Sequence, residues 1–305
     1  MLALVAASNK PEHIELREAP PPFPGPNEAL LEVRAFGVNR GELRLIDSRP
    51  DGWRPGQDIA GVIARAAADG SGPKAGERVA ALVDQAGWAE MTSAPTTRIA
   101  VLPTNVSFEA AAALPVAGLT ALRALRLGGM LLGKRALITG ASGGVGQFAV
   151  QFAALAGAEV TAVARSDRAD TIRSLGAGEV VAAIEDLNGT YDVILESVGG
   201  GSLAAAARLV GPDGALIFFG NSSREPSSLS FTDFGGHPRA RLLPFHVYES
   251  GPPAFGVDLA LMARLVAAGK VKPLIGFEGS WRKLDAALTA LRDRTFGGKA
   301  ILRLD

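Results

Sequence analysis

Ten residues, LITGASGGVG (137–146), carry the densest chemical signal in the chain. Gly140, Gly143 and Gly146 recur every third residue. Thr139, Gly140, Gly144 and Gly146 also fit a second spacing, T-G-x-x-x-G-x-G. Either way, glycines let the backbone approach a phosphate, and the start of a following helix meets its charge. The chemistry is the holding of a dinucleotide pyrophosphate. Gly140 begins this loop, Gly143, Gly144 and Val145 are expected at the phosphates, and Ser142 offers a hydroxyl. Further on, AVARSDRAD (162–170) sets Arg165, Ser166 and Arg168 where an acid would grip the ribose hydroxyls of NADH. Guanidinium groups match phosphate geometry instead, so NADPH is the expected cofactor. Asp167 would be the ribose acid if the register slipped by two.

These residues need elements to hold them. RALIT (135–139) reads as a short apolar strand entering the glycine loop. A helix follows, with Val145, Ala149, Phe152 and Ala156 on one face. Strand EVTAVA, helix RADTIRSLGA, strands EVVAAI and YDVILES, helix SLAAAARLV and strand GALIFFG come next. Strands alternating with helices predict a doubly wound parallel sheet, and ligands gather at the carboxyl ends of such strands. Val198 and Gly199 end the fourth strand, and Gly220 and Asn221 the fifth, so all four are candidate cofactor contacts. The first hundred residues read instead as short strands and Gly/Pro turns, a barrel-like β domain. ALLEVRAFGV (29–38) alternates, with Leu31, Val33 and Ala35 inward and Glu32 and Arg34 outward. Beyond about residue 255 come two helices, GVDLALMARLVAAG and WRKLDAALTALRD, and a last strand, KAILRL.

Composition removes several functions. The 305 residues suggest two domains. Acidic and basic residues balance at 31 each, which argues against a nucleic-acid partner. There is no Cys, so disulfides, thiolate metal sites and Cys nucleophiles are excluded, and the absence fits a cytoplasmic protein. No apolar run is long enough to span a bilayer, and the N-terminus has no basic segment before its apolar residues. His13, His237 and His246 read as surface or packing residues, with approach to the cofactor as the alternative for the segment of His246. Trp53, Trp88, Phe231, Phe234 and Phe245 read as packing, with an apolar substrate cleft as the alternative.

Position decides between the two loop spacings. Short-chain dehydrogenases carry the loop near the N-terminus and use a Tyr and a Lys four apart. Here more than 130 residues precede it, and neither Tyr191 nor Tyr248 is followed by such a Lys. AFGVNRGEL (35–43), RPGQDIAGVI (54–63), GWAEM (87–91), AAALPVAGLTALRAL (111–125), GASGGVGQFAVQFA, ILESVGG and GGKAILRL occur in one order. In that order they resemble the medium-chain dehydrogenase/reductase superfamily, in its zinc-free quinone oxidoreductase branch. The resemblance implies an α/β protein: a GroES-like β-rich catalytic domain, residues 1–118 and 256–305, with a Rossmann domain, 119–255. It implies a zinc-independent, NADPH-dependent reductase of a quinone or α,β-unsaturated carbonyl, working as a homodimer on a small molecule, with no membrane or metal partner. Asn39 is then the polar group nearest the nicotinamide, with an Asx turn as the plain alternative, and Glu42 stands in for an Asp common in this loop. Thr120 is a second candidate near the nicotinamide. Arg294 would reach the adenosine phosphate end and Lys299 the domain cleft, unless each simply flanks an exposed strand. An enoyl-thioester reductase is disfavoured because no Tyr lies in the catalytic domain, and an NADPH-binding sensor with little turnover is the non-enzymatic alternative.

Overall fold

The chain begins as a hairpin, β1 (Leu2–Ala6) antiparallel to β2 (Ile14–Glu18). The alternating run then becomes β3 (Glu28–Val38), with Leu31, Val33 and Ala35 buried and Glu32 and Arg34 exposed. Past Ala35 every residue of β3 is buried, and Gly37 there lies close against the Ala112 backbone. Helix α1 (Arg40–Ser48) follows without a loop. It starts at once from Asn39 in extended conformation, whose carbonyl accepts Glu42 N–H at 3.0 Å while the Glu42 carboxylate accepts the Asn39 N–H at 2.7 Å. Strands β4 (Asp58–Arg65), β5 (Arg78–Leu82), β6 (Met91–Pro95) and β7 (Ile99–Val101) complete the antiparallel part. Helices α2 (Phe108–Ala112) and α3 (Pro115–Leu127) lead onward.

In this computed structural model, which describes residues 1–251 and 253–305, two units are distinguished: Met1–Leu119 with Gly251–Asp305, and Thr120–Ser250. The second unit holds β8 (Arg135–Ile138), α4 (Gly146–Leu155), β9 (Glu159–Val163), α5 (Ala169–Ser174), β10 (Glu179–Val181), β11 (Tyr191–Glu196), α6 (Gly201–Leu209), β12 (Val210–Phe218) and β13 (Arg241–Pro244). Its strands are all parallel, in the order β10-β9-β8-β11-β12-β13. Counted from β8 this is 3-2-1-4-5-6, the order of a Rossmann fold. Ala136, Leu137, Ile138, Ile194, Leu195 and Leu216 are wholly buried, as strands covered on both faces must be. The one-sided stripe expected on α4 is not what forms. Gly146 to Ala153 are buried all round, Gln147 and Gln151 included, while Ala156 is exposed past the helix end.

The chain then returns to the first unit with α7 (Phe255–Ala267), β14 (Ile275–Ser280), α8 (Leu284–Arg292) and β15 (Lys299–Arg303). β15 enters the sheet antiparallel to β3, giving the order β14-β15-β3-β4-β5-β7, with β6 also on β3. β14 has no counterpart in the sequence reading. Its run, IGFEGS, holds two glycines and little β-branching, so the local signal is weak and the pairing with β15 makes it a strand. Trp88 lies in this core, wholly buried and stacked on Phe36 at 5.5 Å, and its indole N–H donates to Gly37 O. It packs and lines no cleft.

Candidate active site

The loop between β8 and α4 is shaped by two glycines. Gly140 is left-handed at φ +58, and a Cβ there would lie 2.6 Å from Ser197 Oγ. A Cβ on Gly146 would lie 2.3 Å from the Gly140 carbonyl oxygen, so helix and strand end approach as closely as backbone allows. Gly143 N–H closes the turn onto Gly140 O at 2.9 Å. Gly143 is exposed, and Ser142, Gly144 and Val145 are half-buried. No side chain caps α4, and the N–H groups of Gly144, Val145 and Gly146 meet no acceptor among the described residues. Orphan donors at a helix start, with glycines where a side chain would intrude, suit a pyrophosphate.

At the end of β9 the three charged side chains meet. Arg165 holds Asp167 with two bonds, Nε at 3.0 Å and Nη2 at 2.5 Å, and Arg168 Nε lies 3.6 Å from the same carboxylate. The hydrogen bonds from Arg165 keep the Asp167 carboxyl below its ordinary range. One carboxylate shared by two guanidiniums leaves this exposed corner net positive.

The ends of β11 and β8 are tied together by a residue that the motifs of the sequence do not single out. Glu196, wholly buried, accepts from Val198 N at 2.9 Å, Gly199 N at 3.0 Å, Thr139 Oγ1 at 3.1 Å and Ser202 Oγ at 3.0 Å. It ties its own loop down and joins it to the residue before Gly140. Ser197 supports this, its N–H donating to Thr139 Oγ1 and its hydroxyl to Thr139 O. From β12, Ser222 N reaches Ser197 O and Ser223 N reaches Val198 O. Gly199, at φ +76, leaves room for Asn221, whose Oδ1 would be 2.3 Å from a Cβ there, and a Cβ on Gly220 would be 2.9 Å from Ser197 O. Gly140, Val198, Gly199, Gly220 and Asn221 therefore share the carboxyl end of the sheet. The available signal for Glu196 was a carboxylate closing an otherwise apolar run, just before V-G-G.

In the first unit a buried polar cluster forms where β3 meets α1. Lys299 Nζ donates to Asp58 Oδ2 at 2.7 Å, Asn39 Oδ1 at 2.5 Å and Val38 O at 3.4 Å. Asn39 Nδ2 donates to Asp58 Oδ2 at 2.8 Å, and Asp58 Oδ1 accepts Val116 N–H at 2.7 Å. Asp58 is 0% and Lys299 2% exposed. Lys299 is thus no charge flanking an exposed strand, because β15 is an inner strand. Nor has it a proton left for a phosphate: it is an internal cation with all three protons engaged. Glu42 is also wholly buried, its Oε2 on Asn39 N–H and its Oε1 without a partner. Burial, then the nearby Asp58 charge, pushes its carboxyl up to about 8. Thr120 is buried in α3, and Arg294 is exposed with left-handed φ 56, two residues after α8.

The remaining candidates scatter. His13 sits 3.4 Å from Asp47 on the surface, His246 lies beside Glu249, and His237 Nδ1 is buried without a partner. Trp53 donates to Gln85, Phe231 is exposed, Phe234 packs against the core of the second unit, and Phe245 is buried. Among the described residues no three His, Asp or Glu come together to hold a metal. Among the described residues no helix is long and apolar enough to cross a membrane.

Comparison with known proteins agrees with this architecture. The family model for the alcohol dehydrogenase GroES-like domain matches residues 25–113, and that for zinc-binding dehydrogenase matches 144–264. The chloroplast envelope quinone oxidoreductase homolog of Arabidopsis thaliana is 30% identical over 95% of this chain and 93% of its own length. The spectinabilin polyketide synthase system protein NorB of Streptomyces orinoci is 33% identical over 92% of this chain, which spans only 13% of that protein. A solved quinone oxidoreductase from Pseudomonas syringae superposes with a TM-score of 0.87 at 25% identity, covering 99% of this chain and all of that one. The chain belongs to the medium-chain dehydrogenase/reductase superfamily, in its quinone oxidoreductase-like branch. It is an oxidoreductase built from a GroES-like domain and a Rossmann domain. The name of the second family model speaks of zinc, but these residues do not fit a catalytic zinc. There is no Cys, and the oxygen-rich cluster at Asn39 and Asp58 is closed around the Lys299 ammonium.

Proposed function

We propose that this protein is a zinc-independent, NADPH-dependent reductase of quinones or α,β-unsaturated carbonyls, acting in the cytoplasm as a homodimer. The observation that carries the reading is the cluster at Asn39. There a buried ammonium holds an amide that keeps a donor N–H, and such a donor supports a reading in which hydrogen bonding rather than a metal activates the hydride acceptor. NADPH, when bound, supplies a hydride. Gly140, Ser142, Gly143, Gly144 and Val145 are assigned to its pyrophosphate, Arg165, Ser166 and Arg168 to the 2′-phosphate. Val198, Gly199, Gly220 and Asn221 are assigned to the nicotinamide half. Asp167 favours NADPH over NADH, since its carboxylate is already engaged by both arginines rather than free for ribose hydroxyls. Thr120 assists at the nicotinamide. Reduction of an enone or quinone moves negative charge onto a carbonyl oxygen, and a fixed N–H donor there lowers the barrier. Asn39 is that donor, and water supplies the proton. The open edge of β13 favours pairing with a second copy.

The test is absorbance at 340 nm with NADPH and NADH in parallel, against quinones, enones and a crotonyl thioester. Rapid NADPH loss with a quinone or enone is the expected result. Turnover of the thioester alone would move the activity to enoyl-thioester reduction. Tight NADPH binding with no turnover of any acceptor would refute the reductase reading.

A further inference from the structure

Asn39 is gripped at both ends of its amide. Its oxygen takes the Lys299 ammonium and its nitrogen faces the Asp58 carboxylate, while Lys299 and Asp58 bind each other. Turning the amide over would set NH2 against the ammonium and oxygen against the carboxylate. The buried ion pair therefore allows a single orientation. In that orientation one Nδ2 proton goes to Asp58. The other has no acceptor among the described residues, on a side chain that is only half-buried. An ammonium on the amide oxygen also draws electron density from the nitrogen and strengthens its remaining N–H as a donor.

We propose that the Asp58–Lys299 pair is a positioning device that fixes and polarises the Asn39 amide, so that its second Nδ2 proton is presented to the carbonyl oxygen of the acceptor. The inference rests on the reading of Asn39 given above. Lys299 and Asp58 touch no substrate in it and act through Asn39. The groups facing them are Glu42 from α1, Val38 O from β3 and Val116 N from α3. Burial keeps Glu42 protonated at neutral pH, so the cluster holds one positive and one negative charge. A balanced cluster can be neutralised as a pair without leaving either charge alone.

That pairwise change is the test: Asp58→Asn with Lys299→Met, compared with Asn39→Ala and with all three together. Turnover of benzoquinone with NADPH is expected to fall roughly 100-fold in the paired variant and in Asn39→Ala. The triple variant should be no slower than Asn39→Ala, because the device acts only through that amide. NADPH affinity, read by fluorescence titration, should stay the same. A second readout needs no turnover. In protein labelled with 15N-asparagine, the Asn39 side-chain signal, identified by its loss in Asn39→Ala, should show one proton shifted downfield. In the paired variant it should move to the position of a free amide. Full turnover in Asn39→Ala would overturn the reading of Asn39 and this inference with it. A slow Asn39→Ala beside a fast paired variant, or an amide signal that does not move, would overturn this inference alone. If the paired variant does not fold, Lys299→Arg takes its place, keeping the charge but changing its geometry. Unchanged turnover together with an unmoved amide signal would then refute the device.

Discussion

Replacing Glu42 by Gln should make the protein more stable in alkali and change its pH profile. Glu42 is wholly buried with Oε1 unpartnered, and its folded pKa is raised from an ordinary 4.5 to about 8. Below pH 4.5 the group is protonated folded and unfolded, and its contribution is flat. Between pH 4.5 and 8 the unfolded chain releases the proton and the folded chain keeps it, so stability falls as pH rises. Above 8 both states are ionised and the loss is complete. At about 1.4 kcal/mol per unit, the whole window is worth on the order of 5 kcal/mol. Gln removes this slope. It adds an amide N–H where Oε1 has no partner, a cost of about 1–3 kcal/mol that does not depend on pH. The two stability curves should cross, the variant weaker near pH 5 and stronger near pH 9. Trp53, Trp88 and Trp281 all lie in the first unit, so urea unfolding followed by tryptophan fluorescence reports on the unit that holds Glu42. A stability difference between the two proteins that stays constant from pH 5 to 9 would refute the assignment of the raised acid to Glu42.

Three further outcomes follow from the second unit. Arg165→Ala and Arg168→Ala should each raise KM for NADPH by roughly 10-fold while leaving KM for NADH unchanged, as loss of a charge-assisted phosphate contact requires; equal effects on both coenzymes would remove the 2′-phosphate assignment. Gly146→Ala puts a Cβ about where only 2.3 Å separates it from the Gly140 oxygen, so NADPH binding by fluorescence titration should be lost, and normal affinity would contradict the loop geometry. Glu196→Ala strips the acceptor from Val198 N and Gly199 N, and hydrogen exchange at those two amides should speed up while the amides of β8 stay protected.

The glycine loop and the parallel, doubly wound character of the second unit were legible because both follow from local pattern. Three-residue glycine spacing and the alternation of apolar strands with helices need no partner to be seen. The alternation of β3 was legible for the same reason. The role of Lys299 was not. A Lys opening KAILRL reads as a flanking charge, and only pairing with a segment 261 residues away shows that β15 is internal and its first side chain buried. Glu42 lay in a readable N-x-x-E cap, but nothing local says that its second oxygen has no partner. β14 escaped because two glycines dilute its strand signal. The buried surface of α4 is wider than its apolar periodicity shows, since Ala, Gly and Gln let the whole helix surface be covered.

Three of the buried acids, Glu42, Asp58 and Glu196, avoid the cost of burial in different ways, and amide replacement should separate them. Glu42 keeps its proton, so Gln costs only about 1–3 kcal/mol for its unpartnered N–H and gains at high pH. Glu196 is surrounded by two backbone and two hydroxyl donors, so Gln keeps one acceptor oxygen but sets an NH2 group against donors, a mismatch local to the loop. Asp58 is balanced by a buried ammonium, so Asn alone leaves Lys299 with no counter-charge, a change worth roughly 3–5 kcal/mol in other buried pairs. Adding Lys299→Met to Asp58→Asn should recover much of that loss, although it deletes a second polar group. If the pair proved less stable than Asp58→Asn alone, the cluster would owe its stability to hydrogen bonds around Lys299 rather than to charge balance, and the electrostatic account of the Asn39 orientation would fail.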